Sequence, residues 1–505
     1  MNITFHGAAR NVTGSKHLIR LKNDTSILLD CGMFQGLGDQ SEDMNEHFGF
    51  NPKKVDFMIL SHAHIDHCGL IPRLVAEGFN GPIFCTSATM DLTRILLMDS
   101  AHIQMQDVEY SNKHRARKGL PLLTALYTDE QAMDALRLFK IVEYHEEYEI
   151  TPQVKFSFTD AGHILGSAVV HLVIQEDGKS THITFSGDVG RYNDMLLNDP
   201  ETFGQADYIL LESTYGDSLH KDLAPIDQAL LDIIRQTCLV KRGKLIIPAF
   251  SVGRTQELLY ALNALELEGQ LPDIPYYVDS PLSQKATEVL MNHPEVYNND
   301  VKEVLKTDAN PFGFKGLRFI QSTEESKALN DDNRPCVIIS SSGMAEAGRV
   351  KHHIKNNIGN SKNTILMVGY CEPNSLGGHL LKGDHEVHIF GETFDVRAEV
   401  RSIKSMSAHG DYEDLLHFLA GQDPEKVKKI FLVHGEYEVQ QHFSDTLKEK
   451  GFKHIEIPYQ HQKIELDKKA RYCYRTITHF LFFYLAGCGC GNAFLGIICT
   501  RSEVL

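Results

Sequence analysis

Ser61-His62-Ala63-His64-Ile65-Asp66-His67-Cys68-Gly69 is the stretch on which the reading of this chain turns. It follows Val55-Asp56-Phe57-Met58-Ile59-Leu60, a short apolar run with the character of a buried strand. It precedes Leu70-Ile71-Pro72-Arg73-Leu74, which opens a helix. Four metal-ligand side chains thus fall within six residues, on a loop between two rigid elements. His62 and His64 are two apart, so in an extended segment both rings leave the same side and can share one ion. Asp66 and His67 lie past the bend and can face a second. Imidazole with carboxylate suits Zn²⁺, and other divalent transition metals as well. A histidine-rich surface loop is the plain alternative. Isolated ligand-type residues further along, which suit the same metals, weigh against it.

A chain of 505 residues exceeds one ordinary core, so two or more domains are expected. With 42% hydrophobic and 23% charged residues the composition is that of a globular protein. A formal net charge of -17 argues against general basicity as a route to phosphate. A nucleic-acid substrate would need its positive potential from metal ions and a local groove. Bound metal is one natural use for the 26 histidines. The 10 cysteines form no paired framework, which predicts reduced thiols and a cytoplasmic setting. Met1-Asn2-Ile3-Thr4-Phe5 runs straight into a strand pattern, without a signal-peptide character.

Residues 1–30 alternate like strands, and Asp30 closes one of them. A carboxylate there can hold a ligand histidine from behind; a simple strand-end turn is the alternative. Pro82–Cys85 predicts another strand. Residues 87–119 predict a helix with Ile95, Leu96, Met98, Ile103 and Met105 in its core, and 129–140 a second helix. The basic cluster Lys113–Lys118 suits a solvated helix end, where cations oppose the dipole, better than a phosphate contact. Strands over 153–191 place His163 and Asp188 at strand ends beside glycines, while His171 and His182 fall inside strands. From about 206 the strand-helix alternation predicts a separate parallel α/β domain, with Glu212 ending its first strand. Ser340-Ser341-Ser342-Gly343-Met344 leads toward a helix and can cradle a phosphate on its N–H groups; an ordinary helix cap is the alternative. His409 precedes a helix, and His434 ends the strand Ile430–Val433. Ligand-type residues before 190 and after 405 predict one discontinuous domain, interrupted by the α/β segment.

The apolar run Ile477–Cys499 is long enough to span a bilayer. Its glycines, Asn492 and His479 make it a poor span, and an accessory tail is the preferred reading. Cys488 and Cys490 form a C-x-C pair too weak to argue from.

His62-Ala63-His64-Ile65-Asp66-His67, with His163, Asp188 and His434 after it, resembles the metallo-β-lactamase superfamily. Leu211-Glu212-Ser213-Thr214-Tyr215-Gly216, Ser407-Ala408-His409-Gly410-Asp411 and Val433-His434-Gly435-Glu436 resemble the motifs of its β-CASP branch of RNA-processing nucleases. Pro248–Arg254 and Ser342–Met344 are similar too. The resemblance covers roughly 1–467. It implies an α/β fold: an αββα sandwich in 1–205, closed by 396–467, with a β-CASP domain inserted at 206–395 and a tail at 468–505 outside it. It implies two Zn²⁺ ions, one on His62, His64 and His163, the other on Asp66, His67 and His434, with Asp188 bridging. It also implies support from Asp30, and catalytic roles for Asp66, Glu212 and His409.

Two cations about 3.5–4 Å apart can hold a bridging hydroxide and clamp both oxygens of an in-line displacement. His409, oriented by Glu212, is then the expected general acid. The products would be a 5′-phosphate and a 3′-hydroxyl, by endonucleolytic cleavage of single-stranded RNA lying between the domains. Arg254, Ser342, Gly343 and Met344 are the expected phosphate contacts. A homodimer is compatible with this reading, and a membrane contact through 477–499 is its minority form. The rival enzyme is a small-molecule hydrolase of a thioester, lactam or lactone, which leaves the insert, Glu212 and His409 without a role. The rival of another class is a silent metal-binding scaffold, against which the complete ligand set argues.

Overall fold

Among the described residues, three large sheets and one two-stranded sheet, Glu386–Ile389 with Glu392–Asp395, carry the fold. The structure is a computed structural model and describes residues 1–466, apart from 37–38, 221–225, 370, 372 and 404–406. The apolar run at 477–499 lies outside the described residues. The first sheet has seven strands, ordered Gln462–Glu465, Asn2–Phe5, His17–Arg20, Ser26–Leu29, Phe57–Ile59, Ile83–Cys85 and Phe139–Ile141. The second also has seven, ordered Ile455–Glu456, Lys429–Val433, Tyr208–Glu212, Lys179–Phe185, Ala168–Glu176, Val154–Asp160 and Tyr148–Thr151.

Side-chain alternation faces these two sheets toward each other. In Val154–Asp160 every second residue is buried and the others are half-buried. Ile3, Phe5, Leu29 and Phe84 of the first sheet meet Phe156, Phe158, Val170, Leu210 and Phe431 of the second in one core. Each such apolar side chain contributes about 1.5–3 kcal/mol by leaving water. Helices Ile71–Ala76, Ser87–Arg117 and Asp129–Leu136 cover the outside of the first sheet through Leu74, Leu97 and Ala132. Helices Tyr412–Phe418 and Tyr437–Glu449 cover the second through Leu415, Phe418, Phe443 and Leu447. The result is the four-layered αββα sandwich. Asn2 pairs antiparallel opposite Glu465, so the last described strand closes the sheet that the first one opened.

The third sheet is parallel and belongs to the insert. Its strands are Leu317–Phe319, Tyr276–Val278, Cys336–Ser340, Lys244–Pro248, Thr364–Met367 and Glu399–Ser402, in that order. Helices Ile226–Ile234, Arg254–Leu267 and Pro281–Met291 cover one face; Arg349–Asn357 and Leu376–Lys382 cover the other. Two covered faces explain why strands such as Leu245-Ile246-Ile247 are apolar throughout. The core on the first face continues into Ala63, Leu92, Ile164 and Leu165 of the sandwich, so the insert packs beside the histidine loop.

Several elements differ from the sequence expectation. Tyr208–Glu212 lies in the second sheet, parallel to Lys179–Phe185 and to Lys429–Val433. All five of its residues are buried, and a uniformly apolar run carries no mark of which sheet it joins. The helix of 129–140 ends at Leu136, and Phe139–Ile141 is an edge strand instead. Ile103 and Met105, expected in the core, are 46% and 41% exposed. Helix Ser87–Arg117 outruns the sheet it covers, and its last buried residue is Ala101. Its basic end is solvated as expected, with Lys113 paired to Glu109. The helix after Ser342-Gly343-Met344 starts only at Arg349, capped by Gly348, so that turn is not a helix N-terminus.

Candidate metal centre

Every ligand-type residue arrives at the end of a strand. Asp30 follows Ser26–Leu29, and the His62–His67 loop follows Phe57–Ile59, its parallel neighbour. His163, Asp188, Glu212 and His434 end or follow Val154–Asp160, Lys179–Phe185, Tyr208–Glu212 and Lys429–Val433. Those four strands run in one direction, so their ends share one edge of the second sheet. Asp30 and His434 take left-handed backbone angles, φ 57° and 49°, in order to turn there. Non-glycine residues in that region cost of order 1–3 kcal/mol, a strain that clusters at functional sites.

Two donor sets form around Asp188. In the first, His64 Nδ1 lies 3.2 Å from His62 Nε2 and 3.1 Å from His163 Nε2. Asp188 Oδ2 is 3.5 Å from His62 Nε2 and 3.6 Å from His163 Nε2. In the second, His67 Nε2 lies 3.2 Å from Asp188 Oδ1, and His434 Nε2 lies 3.2 Å from Asp66 Oδ2. His67 Nε2 to Asp66 Oδ2 is 3.8 Å. Ligands at about 2.0–2.1 Å from one tetrahedral ion stand roughly 3.3 Å apart.

The partners of the outer ring nitrogens assign the tautomers. His67 Nδ1 donates to Asp30 Oδ2 at 2.7 Å, and His163 Nδ1 to the Ala408 carbonyl at 3.1 Å. His62 Nδ1 meets Ser61 Oγ at 3.1 Å, and His434 Nδ1 meets Thr214 Oγ1 at 3.0 Å. Each ring thereby turns an unprotonated Nε2 into the site. His67 Nε2 and Asp188 Oδ1 are buried there without a hydrogen-bond partner. Nitrogen and carboxylate donors converging on one another at such distances fit a cation. Histidine ligands backed by such partners are the common arrangement of metal sites.

The electrostatics divide the two sets: burial pulls His67 of the second set down, but Asp188, Asp66 and Asp30 outweigh it and raise it well above its ordinary range. Burial holds the His62 and His163 imidazoles well below their ordinary range, and His64 falls to about 4, so all three are neutral donors. Burial pushes Asp66 and Asp188 up, but the surrounding histidines outweigh it: Asp66 falls to about 2 and Asp188 well below the usual range. Burial pulls His409 down, yet Glu212, Asp188 and Asp66 raise it to about 9.

Glu212 ties the two late histidines together. Its Oε1 lies 3.0 Å from His409 Nδ1 and accepts from the Val189 N–H at 2.7 Å. Its Oε2 accepts from Thr214 Oγ1 at 2.6 Å, the hydroxyl that meets His434. His409 lies beside His163 with ring centroids 4.6 Å apart and planes tilted by 45°. Asp30 accepts from the Ser61 N–H at 2.8 Å and from Ser61 Oγ at 2.9 Å, besides holding His67. Asp30→Asn keeps the shape but puts an amide against donors. Metal affinity is expected to fall about 10–100-fold, measured by titration with a chelating indicator.

Not every expected residue reaches this centre. Arg254 is 5% exposed and its Nη1 is engaged by Glu257 Oε2, so its charge is spent inward rather than offered to a phosphate. Ser342–Met344 packs against Phe250 and Cys371 in the insert. The sequence reading missed Ser61 and Thr214, hydroxyls adjacent to ligands whose role only the backbone turn reveals. It also missed Lys16, fully buried, whose Nζ donates to the Gly14 and Gly32 carbonyls at 2.9 and 2.6 Å. That clamp sits behind the metal loop: a Cβ on Gly32 would meet the Asp66 carbonyl oxygen at 1.6 Å. Nothing in the sequence marks a lysine for burial.

Fold and site together define a metal-dependent hydrolase of the metallo-β-lactamase type. Residues 14–232 match the metallo-beta-lactamase superfamily, 255–380 the Beta-Casp domain, and 393–458 the Zn-dependent metallo-hydrolase RNA specificity domain. A ribonuclease of Thermus thermophilus is 36% identical over 441 residues, 87% of this chain and 94% of that protein. An RNase J-like protein of Methanocaldococcus jannaschii is 32% identical, covering 90% of this chain and 96% of its own. The transcription termination factor FttA of the same organism is 30% identical over 91% of this chain and 70% of its own. The chain belongs to the β-CASP group of metallo-β-lactamase RNA-processing nucleases. Among the described residues, no helix is long and apolar enough to cross a membrane.

Proposed function

We propose that this protein is a two-zinc endoribonuclease that cleaves single-stranded RNA to 5′-phosphate and 3′-hydroxyl ends. The observation that carries the reading is the pair of donor sets sharing Asp188, with His409 and Glu212 beside them. His62, His64 and His163 would hold one ion and Asp66, His67 and His434 the other, with Asp188 within reach of both sets. Bound ions supply an activated water and positive charge for the phosphate.

The chain's own residues do the rest. Asp188 and Asp66 stay ionised. Glu212 fixes His409 through Nδ1–H, leaving Nε2–H for the leaving group. As water adds to phosphorus and the P–O3′ bond breaks, His409 gives that proton to the 3′ oxygen. The Ser342–Met344 turn is retained as a flanking-phosphate contact. Arg254 is withdrawn from that role, because Glu257 occupies it. The insert spans the third sheet, from Lys244 to Ser402, and the protein works in the cytoplasm.

The test uses purified protein with 5′-labelled and internally labelled RNA, with and without a chelator. Internal fragments bearing 5′-phosphates, lost with chelator and restored by Zn²⁺, are expected. Release of mononucleotides alone would overturn the endonuclease reading. Cleavage that survives chelation would overturn the metal mechanism.

A further inference from the structure

Phe250 is a large aromatic side chain left 38% exposed on the turn between strand Lys244–Pro248 and helix Arg254–Leu267. One exposed aromatic is unremarkable in isolation. This one is held in place. Thr255 Oγ1 donates to the Phe250 carbonyl at 2.7 Å, fixing the turn to the helix. One edge of the ring lies against two glycines. A Cβ on Gly343 would stand 2.6 Å from Cδ2 and 2.7 Å from Cε2, and one on Gly369 3.7 Å from Cε2. Only glycine at 343 admits the ring so close. That edge is thereby packed against backbone, while the residue as a whole stays 38% exposed.

The same turn borders the metal centre. A Cβ on Gly253, three residues on, would lie 3.7 Å from Ile164 Cγ2. Ile164 follows His163, whose ring neighbours His409. Gly343 is also tied inward, its carbonyl facing Cys371 Sγ at 3.9 Å. The turn that carries Phe250 thus passes beside His163 on the insert's side, with Val252 and Gly253 lining the same cavity as that histidine.

We propose that Phe250 is a stacking platform for a nucleobase next to the scissile phosphate. This rests on the ribonuclease reading and names a subsite for it. A rigid aromatic face on such a turn suits a base, because every base has a π-face and stacking is tolerant of sequence. The neighbouring ligand-bearing sandwich is acidic, and a chain of net charge -17 has little general attraction for RNA. A neutral contact that ignores charge fills that need.

The experiment measures steady-state cleavage by wild type, Phe250→Leu and Phe250→Trp, on RNA with a single cleavage site. Matched RNAs carry an abasic residue at one position on either side of that site. Phe250→Leu is expected to raise KM about 10- to 100-fold with kcat within a few-fold, and Phe250→Trp to restore it. On one abasic RNA, wild type and Phe250→Leu should become equal. Equal KM for wild type and Phe250→Leu on intact RNA would overturn the platform while leaving the nuclease standing. So would an undiminished difference on both abasic RNAs. Failure of wild type to cleave any RNA would overturn the ribonuclease reading and this one with it.

Discussion

Asp188→Asn is expected to lose metal from both donor sets and to drop hydrolysis beyond the about 10⁴-fold that one proton-transfer group supplies. The size of the effect follows from where the two oxygens point. Oδ2 faces His62 and His163, and Oδ1 faces His67 and His434. Asparagine keeps the volume but has one uncharged oxygen and two N–H donors. Its N–H donors would bond to the ring-nitrogen lone pairs that an ion needs, or stay unpaired at 2% exposure, and the negative charge between the two sets would be gone. Elemental analysis after dialysis gives the metal content, and circular dichroism checks the fold. A variant that keeps its full metal content would show that the aspartate does not join the two sets.

His409→Ala is expected to lower kcat about 10²–10⁴-fold while metal content and RNA affinity stay near wild type. His409 is 4.0 Å from Asp188 and 3.0 Å from Glu212, and it also forms a possible third donor group with Asp188 and His434, so unchanged metal content is what separates a lost acid from a lost ligand. The pH profile separates a lost acid from general damage. His409 is raised to about 9, so it is protonated below that value and loses its proton as pH rises through it. Bound cations work against that rise, so the alkaline fall of kcat belongs at or below about 9. That limb should vanish in His409→Ala. A substrate with a leaving group that needs no proton should be cleaved by wild type and variant alike. A variant with an unchanged alkaline limb would assign the acid elsewhere.

Much of the centre was legible because its signal is local. His62 through His67 sit within one loop, and His163, Asp188 and His434 each combine a strand end with a glycine neighbour. Glu212 and His409 were found through motif resemblance, since a buried glutamate at a strand end has no distinguishing pattern of its own. What stayed hidden depends on contacts between distant segments. Lys16 is buried because the Gly14 and Gly32 carbonyls happen to face it, and Thr214 matters because His434 arrives from 220 residues away. Arg254 shows the converse. It was expected to meet a phosphate, and its Nη1 is engaged by the carboxylate of Glu257, three residues on. The sheet membership of Tyr208–Glu212 could not be read, because a strand buried on both faces looks alike in a sandwich and in a parallel sheet.

His434 reaches the centre on Lys429–Val433, which has no place to pair until Tyr208–Glu212 is set in its sheet. The second donor set is therefore incomplete until residue 434 has been synthesised. A ribosome holds the growing chain beside its own message, which is RNA. Under the proposed activity, a chain that has not yet released residue 434 cannot assemble the full centre and so cannot cut the message that encodes it. The insertion separates the early ligands from the last one, so the full centre waits for residue 434 to leave the ribosome.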